Sequence, residues 1–259
     1  MNINKALIIS KKLAVDAGKK IMEIYNQDFD VEYKDDSSPL TLADKTANDI
    51  ILSGLKEVFP SVAYLSEEEK DNKKRLSSEY CFIIDPLDGT KEFVKKNGEF
   101  TVNIALVKNG RPIMGVIYAP YLEDLYFASV EAGAYYQAKD AGPVGICATD
   151  EIDNLLLVGS KSHRSAKLDK LIHKNSEKIA DLVSCGSSLK GCMVASGQAD
   201  IYYRYGFTCE WDTCAMQCIC ECAGAIFMQM DKTPLMYNRE NTLNEKGFFV
   251  VNRKENIFV

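Results

Sequence analysis

The sequence predicts an α/β (α+β) fold with an antiparallel, helix-covered first half and a smaller, more α/β second half, meeting near residues 140–152. Three patterns carry that prediction. A long amphipathic helix opens the chain, paired β-hairpin signals fill its middle, and strands alternate with helices after residue 155. In order, Ile3, Leu7, Leu13, Ala14, Ala17, Ile21 and Ile24 recur at helical spacing with Lys5, Lys11, Lys12 and Asp16 between them, which predicts a helix over 3–26. A second helix is expected over 42–58, then strands near 62–66 and 80–85. Residues 101–107 and 113–118 flank Asn109-Gly110, a hairpin signal, and 124–129 with 134–137 read as another antiparallel pair. The second half reads as strand 155–159, helix 165–174, strand 180–184, helix 187–196, strand 199–203, helix 211–223 and strand 225–230. No linker or repeat separates the parts, so units 1–145 and 146–259 are expected to form one compact body with a cleft between them.

Composition excludes several classes of function. No run of eighteen uncharged apolar residues occurs, so no transmembrane segment is expected, and the charged N-terminal helix is unlike a signal peptide. Nine cysteines, an odd count without export signals, fit a reducing, cytoplasmic setting. Cys214, Cys218 and Cys222 would share one helix face and are expected to be packing residues, because His163 and His173 lie far from them in sequence. A net charge of −6 argues against binding nucleic acid polymers. It leaves small anions open, since carboxylates holding divalent cations reverse the local field.

The most informative stretch is Tyr80-Cys81-Phe82-Ile83-Ile84-Asp85-Pro86-Leu87-Asp88-Gly89-Thr90, an apolar strand that runs into two acids, a proline and a glycine. Pro86 restricts the turn, Gly89 permits close backbone approach, and both acids can then face one point, as a hard cation such as Mg²⁺ requires. A plain polar turn is the competing reading. Two residues separate the acids, which excludes the single-spaced Asp-x-Asp of haloacid-dehalogenase phosphatases, and neither a Walker A loop nor a Gly-x-Gly-x-x-Gly fingerprint is present.

With Trp211-Asp212 far downstream, Asp85-Pro86-Leu87-Asp88-Gly89-Thr90 resembles the inositol monophosphatase superfamily of lithium-sensitive phosphatases over nearly the whole chain. Lys91-Glu92-Phe93, the segment Asn97 to Leu106, and Gly186-Ser187-Ser188-Leu189-Lys190 resemble its bacterial 3′(2′),5′-bisphosphate nucleotidases of the CysQ type. The resemblance implies a layered αβαβα sugar-phosphatase sandwich. It implies that Glu67, Asp85 and the Leu87 carbonyl bind one Mg²⁺, and that Asp85, Asp88 and Asp212 bind a second, with room for a third, weaker ion near Glu67. Asp44 and Thr90 would orient and deprotonate the attacking water. Glu67, Leu87, Asp88, Gly89, Thr90, Gly186, Ser187, Ser188, Lys190 and Asp212 would contact the substrate, a small nucleotide bisphosphate, here 3′-phosphoadenosine 5′-phosphate cleaved to AMP, with its sulfated form as a second candidate, in the service of sulfate assimilation. Some relatives sit at the inner face of the bacterial membrane, although no strongly basic amphipathic helix is present here.

Blander readings stand beside these. Thr41-x-x-Asp44 resembles a capping box, Glu67 belongs to a run of three glutamates, and Asp212 opens a helix. Gly186-Ser187-Ser188 and the basic loop Ser160 to Arg164 could simply begin helices. Ser66 and Cys214-Ala215-Met216 depart from the wider superfamily, which bears on the pocket wall and not on the metal ligands. Rival functions are an inositol monophosphatase or fructose 1,6-bisphosphatase on the same scaffold, or a silent nucleotide or metal sensor. Five acids in one cleft would each repel the others by on the order of 1 kcal/mol per pair or more, which calls for cations or protons.

Overall fold

Side-chain alternation along the central strands decides what packs where. The computed structural model describes residues 1–27, 31–33, 39–160 and 165–259. In strand β4 (Tyr80–Asp88), Phe82 and Ile84 face one side and Cys81 and Ile83 the other; in β5 (Thr101–Lys108), Val102, Ile104 and Leu106 oppose Ala105 and Val107. Strand β6 (Arg111–Ala119) continues the pattern with Val116 and Tyr118 against Ile117 and Ala119. Because both faces are apolar, the sheet must be covered on both sides.

These strands belong to a seven-stranded sheet whose members follow chain order: β3 (Ala63–Ser66), β4, β5, β6, β7 (Asp124–Ser129), β8 (Gly133–Gln137) and β9 (Val144–Gly145). Neighbours are antiparallel except β3, which runs parallel to β4. Helices α1 (Ile3–Tyr25) and α2 (Leu42–Val58) cover one face through Ala14, Ala17, Ile21, Ile51 and Leu55. A short pair, β1 (Val31–Tyr33) and β2 (Pro39–Thr41), precedes α2.

The other face packs on α5 (Leu189–Ala195) and α6 (Glu210–Cys222), where Cys214, Cys218 and Cys220 are buried among Ile83, Ile117 and Ile219. Beyond them lies a second sheet in the order β11 (Ile179–Cys185), β10 (Leu155–Ser160), β12 (Ile201–Arg204), β16 (Phe248–Val251) and β14 (Ile226–Gln229). Its inner residues Val158, Tyr202, Phe248 and Val250 join the core around α6, and its outer residues Leu155, Leu157, Ile201 and Tyr203 pack with Leu168 and Leu171 of α4 (Ala166–Lys174). The order helices, sheet, helices, sheet, helix is the expected five-layered sandwich. The remaining pieces are α3 (Thr90–Val94) and the two-stranded pair β13 (Thr208–Cys209) and β15 (Leu243–Asn244).

Two departures from expectation shape the site. Strand β4 does not end at Asp85: it continues to Asp88 across a register shift, Asp85 pairing with Asn103 and Asp88 with Thr101. Pro86 can sit in that bulge because the bulge needs no N–H from it. The helix expected from residue 187 starts instead at Leu189, because Ser187 adopts φ +52°, a left-handed conformation incompatible with a helix start.

Helix α6 lies directly on β6 at Gly115, where an added Cβ would fall 2.6 Å from the Ala215 carbonyl oxygen and 3.1 Å from its Cα. Backbone cannot yield as a flexible side chain does. Gly115→Ala is therefore expected to cost about 1–3 kcal/mol, read as a lower urea midpoint at unchanged slope; an unshifted midpoint would show that α6 tolerates a wider seat.

Candidate active site

Strand β4 delivers the first acids. Asp85 is 1 % exposed and its Oδ1 accepts the Leu87 N–H at 3.1 Å, which closes the bulge over its own side chain. Gly89 follows at φ +92° and turns the chain into α3. Asp85, Asp88 and, from α6, Asp212 each place a carboxylate oxygen within 4.8 Å of the others, so segments far apart in sequence converge on one point.

Two acids come from helix starts, and the capping reading and the site reading hold together. Asp44 is the third residue of α2, and its Oδ2 accepts from both the Thr41 N–H and hydroxyl at 2.7 Å. Asp212 is the third residue of α6, and its Oδ2 accepts the Cys209 N–H at 2.5 Å. One oxygen of each locks the helix start and fixes the carboxylate's direction. The other oxygen of Asp44 accepts the Thr90 hydroxyl at 3.1 Å, and that hydroxyl also lies 3.3 Å from the Leu87 carbonyl.

Asp88 joins the two sheets. Its Oδ2 accepts from the Ser187 hydroxyl at 2.6 Å and from the Ser188 N–H and hydroxyl, both at 2.7 Å. Asn103 donates at 2.9 Å to the Ser188 hydroxyl oxygen, whose proton Asp88 and, at 3.1 Å, the Asp212 carbonyl compete for. The left-handed Ser187 thus lets two consecutive hydroxyls and an N–H converge on one carboxylate oxygen. Lys190 is 5 % exposed and donates to the Ser187 carbonyl at 2.5 Å and to the Cys185 carbonyl at 3.3 Å, so it braces this turn from beneath. Gly186 is needed for packing, since a Cβ there would lie 2.7 Å from the Glu99 carbonyl oxygen.

Burial raises Asp85 well above the usual carboxylate range, and the charges of Glu67, Asp88, Asp212 and Asp44 push it the same way. Asp212 is pushed up to about 8 by burial and then by Asp88, while the Cys209 N–H and Arg204 oppose the shift. Lys190 is lowered by burial, with Asp88 as its chief counterweight. Protein cations therefore do not balance the acids. Hard carboxylate oxygens that are preorganised, buried and still competing for protons fit a hard divalent cation.

A cleft of about 380 Å³ opens over this centre, lined at one end by Glu67, Asp88, Thr90 and Asp212 and elsewhere by Lys190, Tyr202, Arg204, Phe207 and Thr208. Gly89, Ser187 and Ser188 also line it. Leu87 is buried beneath, with its carbonyl toward Thr90. Ser160 lines the wall, but the rest of the basic loop, 161–164, lies outside the described residues. Sequence reasoning passed over Arg204 and Phe207. The signal was available: Arg204 ends an apolar strand just before Gly206, as Asp88 ends one before Gly89.

Comparison with known proteins agrees with this architecture. The profile of the Inositol monophosphatase family matches residues 3–257. The chain belongs to the inositol monophosphatase family. Within that metal-dependent family it is 40 % identical over 250 residues to the 3′(2′),5′-bisphosphate nucleotidase CysQ of Escherichia coli, covering 92 % of this chain and 96 % of the relative. The CysQ of Buchnera aphidicola is 43 % identical over 217 residues, covering 82 % of this chain and 80 % of the relative. The crystal structure of CysQ from Bacteroides thetaiotaomicron, described as a bacterial member of the family, superposes with a TM-score of 0.85 at 39 % identity, covering 96 % of this chain and 98 % of that one. An inositol monophosphatase from Thermotoga maritima shares the fold, with a TM-score of 0.80 at 23 % identity over 96 % of this chain and 92 % of that one. Among the described residues no helix is long and apolar enough to cross a membrane.

For a family member with this acid cluster, stability is linked to both pH and metal. Asp212 has a folded value near 8 against an ordinary 3.8, so without metal its contribution is fully present below about pH 4 and is lost as pH rises toward 8. A divalent cation competes with the same protons. Millimolar Mg²⁺ should therefore raise the melting temperature more at pH 8 than at pH 6; a shift independent of pH, or no shift, would sink the shared-cation reading.

Proposed function

We propose that the chain is a Mg²⁺-dependent 3′(2′),5′-bisphosphate nucleotidase that converts 3′-phosphoadenosine 5′-phosphate to AMP and phosphate. The observation that carries this reading is the convergence of Asp85, Asp88 and Asp212 beside the Asp44–Thr90 hydrogen bond. The near-full-length similarity to the CysQ nucleotidases supports the substrate class. Two positive side chains, Arg204 and Lys190, in a cleft that also holds the acids suit a substrate with a second phosphate.

In this reading Glu67, Asp85 and the Leu87 carbonyl hold one Mg²⁺, and Asp85, Asp88 and Asp212 hold another, with a weaker third position near Glu67. When bound, the ions neutralise charge on the phosphoryl group and on the leaving oxygen. The protein's own part is proton handling and orientation. Asp44 Oδ1 accepts the Thr90 proton, which turns a lone pair of Thr90 Oγ1 toward an incoming water. As the water oxygen attacks phosphorus, its proton passes to Thr90 Oγ1 and the Thr90 proton moves to Asp44 Oδ1. The bond from phosphorus to the ribose oxygen breaks, and that oxygen leaves with a proton from solvent. No covalent phosphoenzyme is required. Ser187 and Ser188 act through Asp88, holding one of its oxygens and so fixing the orientation of the carboxylate. Segments 1–145 and 146–259 work as one unit, the first supplying most of the acids and the second Asp212 and the cationic wall; the reading places this unit in the cytoplasm.

Phosphate release measured side by side on 3′-phosphoadenosine 5′-phosphate, inositol 1-phosphate and fructose 1,6-bisphosphate with Mg²⁺ should be fastest on the nucleotide and should fall on adding Li⁺. Faster release from either of the other two would replace the nucleotidase reading. Asp44→Asn should lower kcat by about 100-fold or more while keeping the Mg²⁺-induced rise in melting temperature; a variant with full activity would remove Asp44 from the proton path. Arg204→Gln should raise KM for the bisphosphate about tenfold, and an unchanged KM would take Arg204 out of phosphate recognition.

A further inference from the structure

We infer that Phe207 is the platform on which the nucleobase of the substrate stacks, an inference that rests on the nucleotidase reading and names how the cleft recognises the rest of that substrate. Phe207 lines the cleft and is nevertheless 64 % exposed. Its ring has no aromatic or cationic partner among the described residues, unlike Tyr202, which meets Phe248 edge-on at 5.3 Å and lies 5.7 Å from the Lys190 ammonium. A single exposed phenylalanine is ordinary on a protein surface. What distinguishes this one is its mounting and its neighbours.

The backbone on the C-terminal side of Phe207 is held. Its carbonyl accepts from Arg204 Nη2 at 3.4 Å, and Thr208, the next residue, pairs with Asn244 in the two-stranded sheet. Gly206 has no side chain, and the guanidinium of Arg204 lies 3.4 Å from where its Cβ would be, so the cation folds back beneath the loop that presents the ring. Arg204 Nε is buried without a hydrogen-bond partner, so the protein does not fully satisfy this guanidinium.

The cleft therefore offers three chemistries: an acid cluster for a metal-held phosphoryl group, a guanidinium for a second anion, and an apolar ring. A polyol or sugar phosphate could use the first two and has no flat apolar face for the third. A nucleoside bisphosphate uses all three. Stacking reads the π-face of a base and needs no hydrogen bond, so it suits a ring at an open mouth where water would weaken polar contacts.

The test compares kcat/KM for adenosine 3′,5′-bisphosphate with kcat/KM for the base-free methyl riboside 3,5-bisphosphate, using the full chain with Mg²⁺. In Phe207→Ala the ratio of the two should fall about tenfold, carried by KM on the nucleotide, and in Phe207→Trp it should be kept or raised. The ratio is insensitive to any loss of folded protein, because both substrates report on the same preparation. A ratio in Phe207→Ala within about twofold of the parent, in an enzyme that still cleaves the nucleotide, overturns the stacking inference and leaves the nucleotidase reading standing. A parent enzyme that cleaves inositol 1-phosphate and neither bisphosphate overturns both.

Discussion

Mutual repulsion among carboxylates is the constraint around which this structure is organised. Asp44, Asp85 and Asp88 come from the first half of the chain and Asp212 from the second; Asp44 and Asp85 are buried and Asp88 and Asp212 part-buried, which weakens the screening by water. A cluster of this kind costs folding free energy unless protons or cations occupy it. The remainder of the architecture supplies the rigidity that keeps the acids from moving apart. Such preorganisation is what a metal site needs, since the work of gathering like charges is done when the chain folds and not when the ion arrives.

Three devices provide that rigidity. The bulge in β4 folds Asp85 under its own backbone, with Leu87 N–H closing the loop. Helix starts hold Asp44 and Asp212 by one oxygen each, so the same carboxylate that caps a helix also takes part in the site. The third device crosses the molecule: Ser187 and Ser188 of the second half donate to Asp88 of the first, and Gly115 lets α6 rest directly on β6. The two sheets are thus joined at the site itself and through the core around Cys214, Cys218 and Ile219.

Polarity divides the cleft. Acids occupy one part and Lys190 and Arg204 another, although the two are close enough that Arg204 depresses Asp212. Arg204 stays a usable cation because no carboxylate among the described residues pairs with it, whereas the guanidinium of Arg75 is tied to Asp71, Asn238 and the Arg239 carbonyl. Lys190 donates to two carbonyls, so it braces the turn while adding positive charge to the cleft wall that it lines.

Much of this was legible in the order of residues. Amphipathic periodicity marked α1 and α2, alternation and Asn109-Gly110 marked the central hairpin, and an apolar strand ending in Asp85-Pro86-Leu87-Asp88-Gly89 marked the site. Strands β13 and β15 escaped, because two residues are too few to show a period. Local sequence determined which segments are helices or strands and which acids sit at their ends, since those features depend on neighbours a few positions away. Tertiary structure alone decided that Asp88 is satisfied by Ser187 and Ser188, that Asp212 meets Asp85, and that Arg204 and Phe207 share the cleft with them. Those outcomes depend on how two sheets stack across α5 and α6, and separation along the chain carries no record of that distance.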